Sequence, residues 1–186
     1  MELDLSARQR LRGVLWPVHA DHMLAIVGEA PGPNTRSDCP FYPSPPTSAA
    51  GRFLSCIGWS RSEYLLTFAR INLLSEYPGK RFPVSLARSC VPAAVSLLHP
   101  RPMLLMGRGV ARAFKLAYLE PLTWLRVPLK DVSNADVSAR VAIVPHPSGR
   151  NRWYNDQENC ARLRRFIYEA RAECQNLSSV AACARQ

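Results

Sequence analysis

Short apolar runs alternate along this chain with longer stretches of helical spacing. Met23 to Val27 (MLAIV), Met103 to Met106 (MLLM) and Val141 to Val144 (VAIV) have the form of strands buried on both faces. Arg70 to Leu74 (RINLL) reads as another strand, although a run this short also fits a helix. Between the runs, a helix is predicted from Ala49 to Ile57, closed by Gly58, and a short one begins at the capping box Ser60-Arg61-Ser62-Glu63. Further helices are predicted around Pro92 to Leu98, with Pro92 in the first turn, and from Gly107-Arg108-Gly109 to about Tyr118. Asp156 to Cys174 is amphipathic, with Leu163, Phe166, Ile167 and Ala170 on one face and Arg162, Arg165 and Arg171 elsewhere. Weaker signals suggest a helix at Leu5 to Leu15, a loop at Ser75 to Pro83, an edge strand at Leu125 to Pro128, a polar turn at Asp131 to Asp136 and a frayed tail beyond Gln175. Strands alternating with helices predict an α/β domain, a parallel sheet with helices on both faces.

Composition narrows the class. With 186 residues and 47% apolar content, the chain is expected to form a single domain with a real core, residues 1–20 being an N-terminal extension. Lys and Arg total 24 against 14 acids, a net +10, and only Lys80, Lys115 and Lys130 are lysines. Arginine favours bidentate phosphate contacts, while a basic surface also serves plain solubility. The six cysteines are scattered without a C-x-x-C pair, which predicts free thiols and no zinc site or disulfide framework. No apolar run spans a bilayer and acids stand at Glu2 and Asp4, so the expectation is a soluble, cytoplasmic protein without a membrane partner. Gly107-Arg108-Gly109 is followed by Arg112 where a dinucleotide fingerprint needs a third glycine, and no Walker sequence occurs.

The residues that carry chemistry fall at the ends of the predicted strands. Glu29 stands in a Gly-Glu-Ala-Pro-Gly turn at a carboxyl end, where open α/β sheets place their sites. The proline-rich stretch Ser37 to Ser48 holds the aromatic pair Phe41 and Tyr42. Asn72 puts a polar amide inside an apolar run. Pro145 and Pro147 restrict His146, Gly149 permits a bend, and Arg150, Arg152 and Trp153 offer phosphate pairing and a stacking face, which points to nucleic acid.

Four pieces now stand in one order: GEAPG at Gly28 to Gly32, PF followed by AAGRFL at Pro40 to Leu54, RINLL at Arg70 to Leu74, and HPS at His146 to Ser148. This set resembles the uracil-DNA glycosylase superfamily, and most of all its GEAPG-bearing branch, from about Leu24 to Phe166. The resemblance implies a three-layer α/β/α fold with a central four-stranded parallel sheet, which holds a base flipped out of DNA and hydrolyses its glycosidic bond without metal or cofactor. By the same resemblance Glu29 orients or activates water, Phe41 stacks on the base, Asn72 reads its pairing edge and His146 stands beside its O2. Gly28, Ala30 and Gly32 complete the base pocket. The residues after Ser148 (Gly149, Arg150, Asn151, Arg152 and Trp153) match the wedge that enters the duplex, with Ser148, Lys80, Arg81 and Arg52 as further expected DNA contacts.

Two departures qualify the match. The GEAPG branch commonly binds an iron-sulfur cluster through four cysteines, two of them upstream of the first motif. No cysteine precedes Gly28 here, so no cluster is expected. Other branches have Asp or Asn where Ala30 stands, which leaves Asn34, Asp38, Asn151 and Asn155 as alternative catalytic candidates. Gly32 replaces a bulky residue that in several members rejects C5 substituents. The expected activity is therefore that of a monofunctional, monomeric DNA glycosylase acting on uracil or on a modified pyrimidine, for example a glucosylated base of phage DNA in antiviral defence. The scarcity of lysines argues against a Schiff-base lyase. A DNA-binding member of the fold with weak or lost catalysis is the competing expectation.

Overall fold

The structure, a computed structural model, describes residues 23–33, 39–79, 81–116 and 119–183, with side chains up to residue 176. The predicted helix at Leu5 to Leu15 lies outside the described residues. Strands β1 (Leu24–Gly28), β2 (Phe68–Asn72), β3 (Met103–Met106), β4 (Leu125–Lys130) and β5 (Asp136–Val144) form one sheet in the order β2-β1-β3-β5-β4. The first four are mutually parallel, and β4 adds to the edge antiparallel to β5. The expected four-stranded parallel sheet is thus extended by a fifth, antiparallel strand. Pro128 is tolerated there because β4 is an edge and this residue is exposed.

Alternation along the strands sorts the core into two layers. Ala25, Val27, Ala69, Ile71, Leu105 and Val141 face α3 (Val84–Ser89), α4 (Val91–Leu98) and α5 (Gly107–Ala113). Leu24, Ile26, Phe68, Leu104, Ala142 and Val144 face α1 (Ala49–Ile57), α2 (Arg61–Thr67) and α6 (Gln157–Cys183). Helices on both faces of a mainly parallel sheet make the architecture α/β in three layers. The apolar runs carry no face of their own because both sides are covered.

Local signals explain several boundaries. The Ser48 hydroxyl accepts from Gly51 N–H to start α1, and Gly58, at φ +73°, ends it in the left-handed conformation. At α2 the Ser60 side chain accepts from Glu63 N–H, while the Glu63 carboxylate accepts from Ser60 N–H, the reciprocal box expected from the sequence.

Other boundaries move. β2 runs from Phe68 to Asn72 rather than Arg70 to Leu74, because its pairing with β1 begins at Leu24↔Phe68 and ends at Gly28↔Asn72. α5 stops at Ala113, and Lys115 follows at φ +63°. β5 starts earlier, at Asp136, where β4 gives it a partner. α3 was not anticipated, since six residues show too little periodicity to stand out. α6 continues to Cys183, past the point where fraying was expected. No helix among the described residues is long and apolar enough to cross a membrane.

Ser60→Ala should lower stability by about 1 kcal/mol through loss of the α2 cap. Urea unfolding would measure this, and an unchanged midpoint would mean that α2 is held by packing alone.

Candidate functional site

The carboxyl ends of β1, β2, β3 and β5 all open on one edge of the sheet, and a cleft of about 390 Å³ lies there. Its lining includes Glu29, Ala30, Gly32, Phe41, Asn72, His146 and Ser148, so seven of the residues singled out in the sequence meet at one place. Such a crevice is where open parallel sheets bind ligands.

Its floor depends on a missing side chain. Gly28 and Asn72 are paired across β1 and β2, and a Cβ on Gly28 would fall on both the Asn72 amide oxygen and the Phe41 ring. Only glycine lets these two groups meet over the strand end. Asn72 is 2% exposed, and its Oδ1 has no hydrogen-bond partner among the described residues. An unpaired buried acceptor costs about 1–3 kcal/mol, and this one belongs to a residue that lines the cleft.

Phe41 is held in an uncommon backbone conformation. Its φ is +49°, and the Tyr64 hydroxyl of α2 donates to its carbonyl at 2.8 Å. Tyr64 is fully buried. A non-glycine residue in the left-handed region persists where its surroundings fix it, and Tyr64 supplies that constraint. The Phe41 ring stands edge-on to His146, with centroids 6.4 Å apart and planes at 72°.

His146 is set by the turn that follows it. Ser148 N–H donates to His146 Nδ1 at 3.2 Å, which leaves the ring proton on Nε2. Burial holds the imidazole below its ordinary pKa, and protonating Nδ1 would also break this bond, so both favour the neutral ring. Beneath it, Gly107 at the end of β3 has φ +90°, and a Cβ there would lie 2.8 Å from that of His146. The Glu29 carboxyl lies where a Cβ on Gly109 would fall, and burial raises it above the usual carboxylate range. Ala30, half-buried against the α3–α5 layer, supplies no polar group.

The remaining expected site residues separate into groups. Gly149, Arg150 and Arg152 are exposed, with Gly149 and Arg150 at the turn itself. Trp153 does not project as a wedge: it lies in a 3₁₀ turn (Arg152–Asn155), packs on the α1/α6 core and meets the Tyr154 ring edge-on at 5.0 Å. Asn151 braces the loop, donating to the His146 carbonyl at 2.9 Å and accepting from Trp153 N–H. Arg52 is likewise turned inward, its guanidinium bonded to the Ser148 carbonyl and, at 2.9 Å, to Asn155 Oδ1. Arg52, expected as a DNA contact, thus has these guanidinium bonds within the protein. Arg81 is exposed beyond the cleft lining, and Lys80, Asn34 and Asp38 lie outside the described residues.

Sequence reasoning missed Tyr77, Pro78, Gly79 and Phe82, which form one lip of the cleft. Their signal was the aromatic, proline and glycine content of the loop after Asn72. The five cysteines with described side chains form no disulfide with one another, and the described residues hold no group of three or more His, Cys, Asp or Glu able to bind a metal. No known family model matches the chain, and no curated protein is similar to it.

Gly28→Ala should displace the Phe41 ring or the Asn72 amide and cost about 1–3 kcal/mol of stability, measurable by urea unfolding. A loss below about 0.5 kcal/mol would show that the two groups can part without penalty.

Proposed function

We propose that this protein is a monofunctional DNA glycosylase that takes a pyrimidine out of the DNA stack and hydrolyses its N-glycosidic bond. The observation that carries this reading is the buried Asn72 amide, its Oδ1 without a partner among the described residues, on the lining of a cleft that also holds an aromatic face, a neutral imidazole and a carboxyl group. The likeness of the four sequence motifs to the uracil-DNA glycosylase superfamily supports it.

Each group suits one part of the reaction. Asn72 Oδ1 accepts from a pyrimidine N–H, and Phe41 provides stacking worth about 1–3 kcal/mol against the few kcal/mol of extrusion. As the C1′–N1 bond breaks, positive charge builds on the sugar and the departing electron pair goes to the base. Glu29 as carboxylate stabilises the sugar cation and accepts a proton from the water that adds to C1′. His146 donates from Nε2 to the base oxygen, where negative charge collects. The products are the free base and an abasic site. No lysine lines the cleft among the described residues, which favours attack by water over a Schiff base.

The size of the cleft favours a second version of the substrate. A cleft of about 390 Å³, lined also by Gly32, Tyr42, Tyr77 and Phe82, is larger than an unsubstituted pyrimidine ring and leaves room for a substituted one.

Single- and double-stranded DNA carrying uracil, hydroxymethylated or glucosylated pyrimidines, followed by alkali, provides the test. Breaks on one of these substrates are expected, falling by roughly 100-fold or more in Glu29→Ala and His146→Ala. Salt-sensitive binding without breaks on any substrate would instead identify a DNA-binding module.

The pH profile follows from the two shifts. Glu29 works ionised, above its raised pKa, and His146 works neutral, above its lowered pKa. Activity should rise through one acid limb and then stay level to about pH 9. An alkaline fall below that would show that His146 must be charged.

A further inference from the structure

Arg52 of α1 makes contacts that a surface arginine in a basic protein does not. One arm of its guanidinium bonds the Ser148 carbonyl, and the other reaches Asn155 Oδ1 at 2.9 Å and the Asn151 carbonyl at 3.5 Å. Its carbon centre lies 5.8 Å from the centroid of the Tyr154 ring. The Ser148 carbonyl also accepts from Asn151 N–H at 3.0 Å, so the guanidinium closes the same turn from outside. The Tyr154 hydroxyl donates to the Pro145 carbonyl at 2.7 Å, and Asn151 holds that of His146. Apart from the Arg52–Asn155 bond, each of these ends on a backbone carbonyl of residues 145–151, the segment that carries the imidazole.

The geometry points to Arg52 as a positioning residue that holds the Ser148 turn so that its N–H stays on His146 Nδ1, keeping the imidazole as an Nε2–H donor. The assignment of His146 as that donor rests on the proposed glycosylase reading, whereas the effect on the ring itself does not. A planar fork is needed to bond the Ser148 carbonyl and Asn155 together, which lysine cannot do. The ring has few other charged neighbours. Glu29 lines the same cleft from the end of β1, Arg52 stands behind Ser148 on α1, Tyr42 and Tyr77 line the cleft, and the Tyr154 hydroxyl is spent on Pro145.

Imidazole ¹⁵N NMR of the full chain, in wild type, Arg52→Met, Arg52→Lys and Asn155→Ala, tests this directly. Wild-type His146 should show an acceptor Nδ1 and titrate below about 6.5. In Arg52→Met and Arg52→Lys the titration should move up and the Nδ1–H tautomer appear. Asn155→Ala keeps the guanidinium but removes one anchor, so it should shift the ring the same way by less. Base release should lose roughly 10- to 100-fold in kcat with little change in KM, its acid limb moving to higher pH.

If Arg52→Met fails to fold, the lysine and Asn155 variants decide. Identical His146 tautomer and titration in all folded variants would overturn the proposal and leave Arg52 a role in stability alone. An imidazole shift in a protein that releases no base would uphold the positioning role and reject the glycosylase reading.

Discussion

An amide oxygen shut away from water, with no partner among the described residues, is the constraint around which this cleft is built. Burying Asn72 in this way costs about 1–3 kcal/mol, and an apolar side chain in β2 would avoid the cost. The surroundings are arranged to keep the amide in place. Gly28 across the ladder gives up its side chain, Phe41 takes a left-handed backbone to lay its ring beside the amide, and Tyr64 ties down the Phe41 carbonyl. Three elements are thus committed to a polar atom that adds nothing to the core. Strain and an unmet hydrogen bond concentrated at one strand end are what a preorganised binding site requires.

The histidine side of the cleft is built on the opposite principle, since the turn that carries the ring is bonded within the protein and the ring's Nδ1 accepts from it. The turn after His146 is held by Arg52, Asn151 and Tyr154, whose bonds run to backbone carbonyls of residues 145–151. Basic and aromatic residues that would suit a nucleic acid are here divided between two tasks. Arg150 and Arg152 remain exposed, while Arg52, Tyr154 and Trp153 form the mount on which the exposed part sits. Rigid support of this kind fixes which imidazole nitrogen carries the proton, and burial keeps the ring neutral.

Much of this was legible in the chain because the signals were local. The caps at Ser48, Gly58 and Ser60, and the both-face burial of MLAIV, MLLM and VAIV, need no tertiary information. The boundary of β2 was misjudged because RINLL keeps apolar residues past the end of pairing. Leu73 and Leu74 are buried after leaving the ladder, their amides bonded to the carbonyls of Gly28 and Glu29. The meeting of Glu29, Asn72 and His146 could be expected, since each follows or ends a strand, while Phe41 reaches the cleft from the proline-rich loop. The inward turn of Arg52 could not, as its acceptors lie 96 to 103 residues away in sequence. Nor could the fate of Trp153, because an exposed wedge and a packed ring have the same local sequence.

The central claim is that Asn72 Oδ1 awaits a flipped pyrimidine. A crystal structure of the protein with duplex DNA carrying a 2′-fluoro-deoxyuridine, whose glycosidic bond resists cleavage, tests it most directly. The account predicts that base in the cleft, its N–H within hydrogen-bond distance of Asn72 Oδ1, its face on Phe41 and its O2 beside His146. A nucleotide still stacked in the duplex, with the amide turned to another protein group, would contradict it.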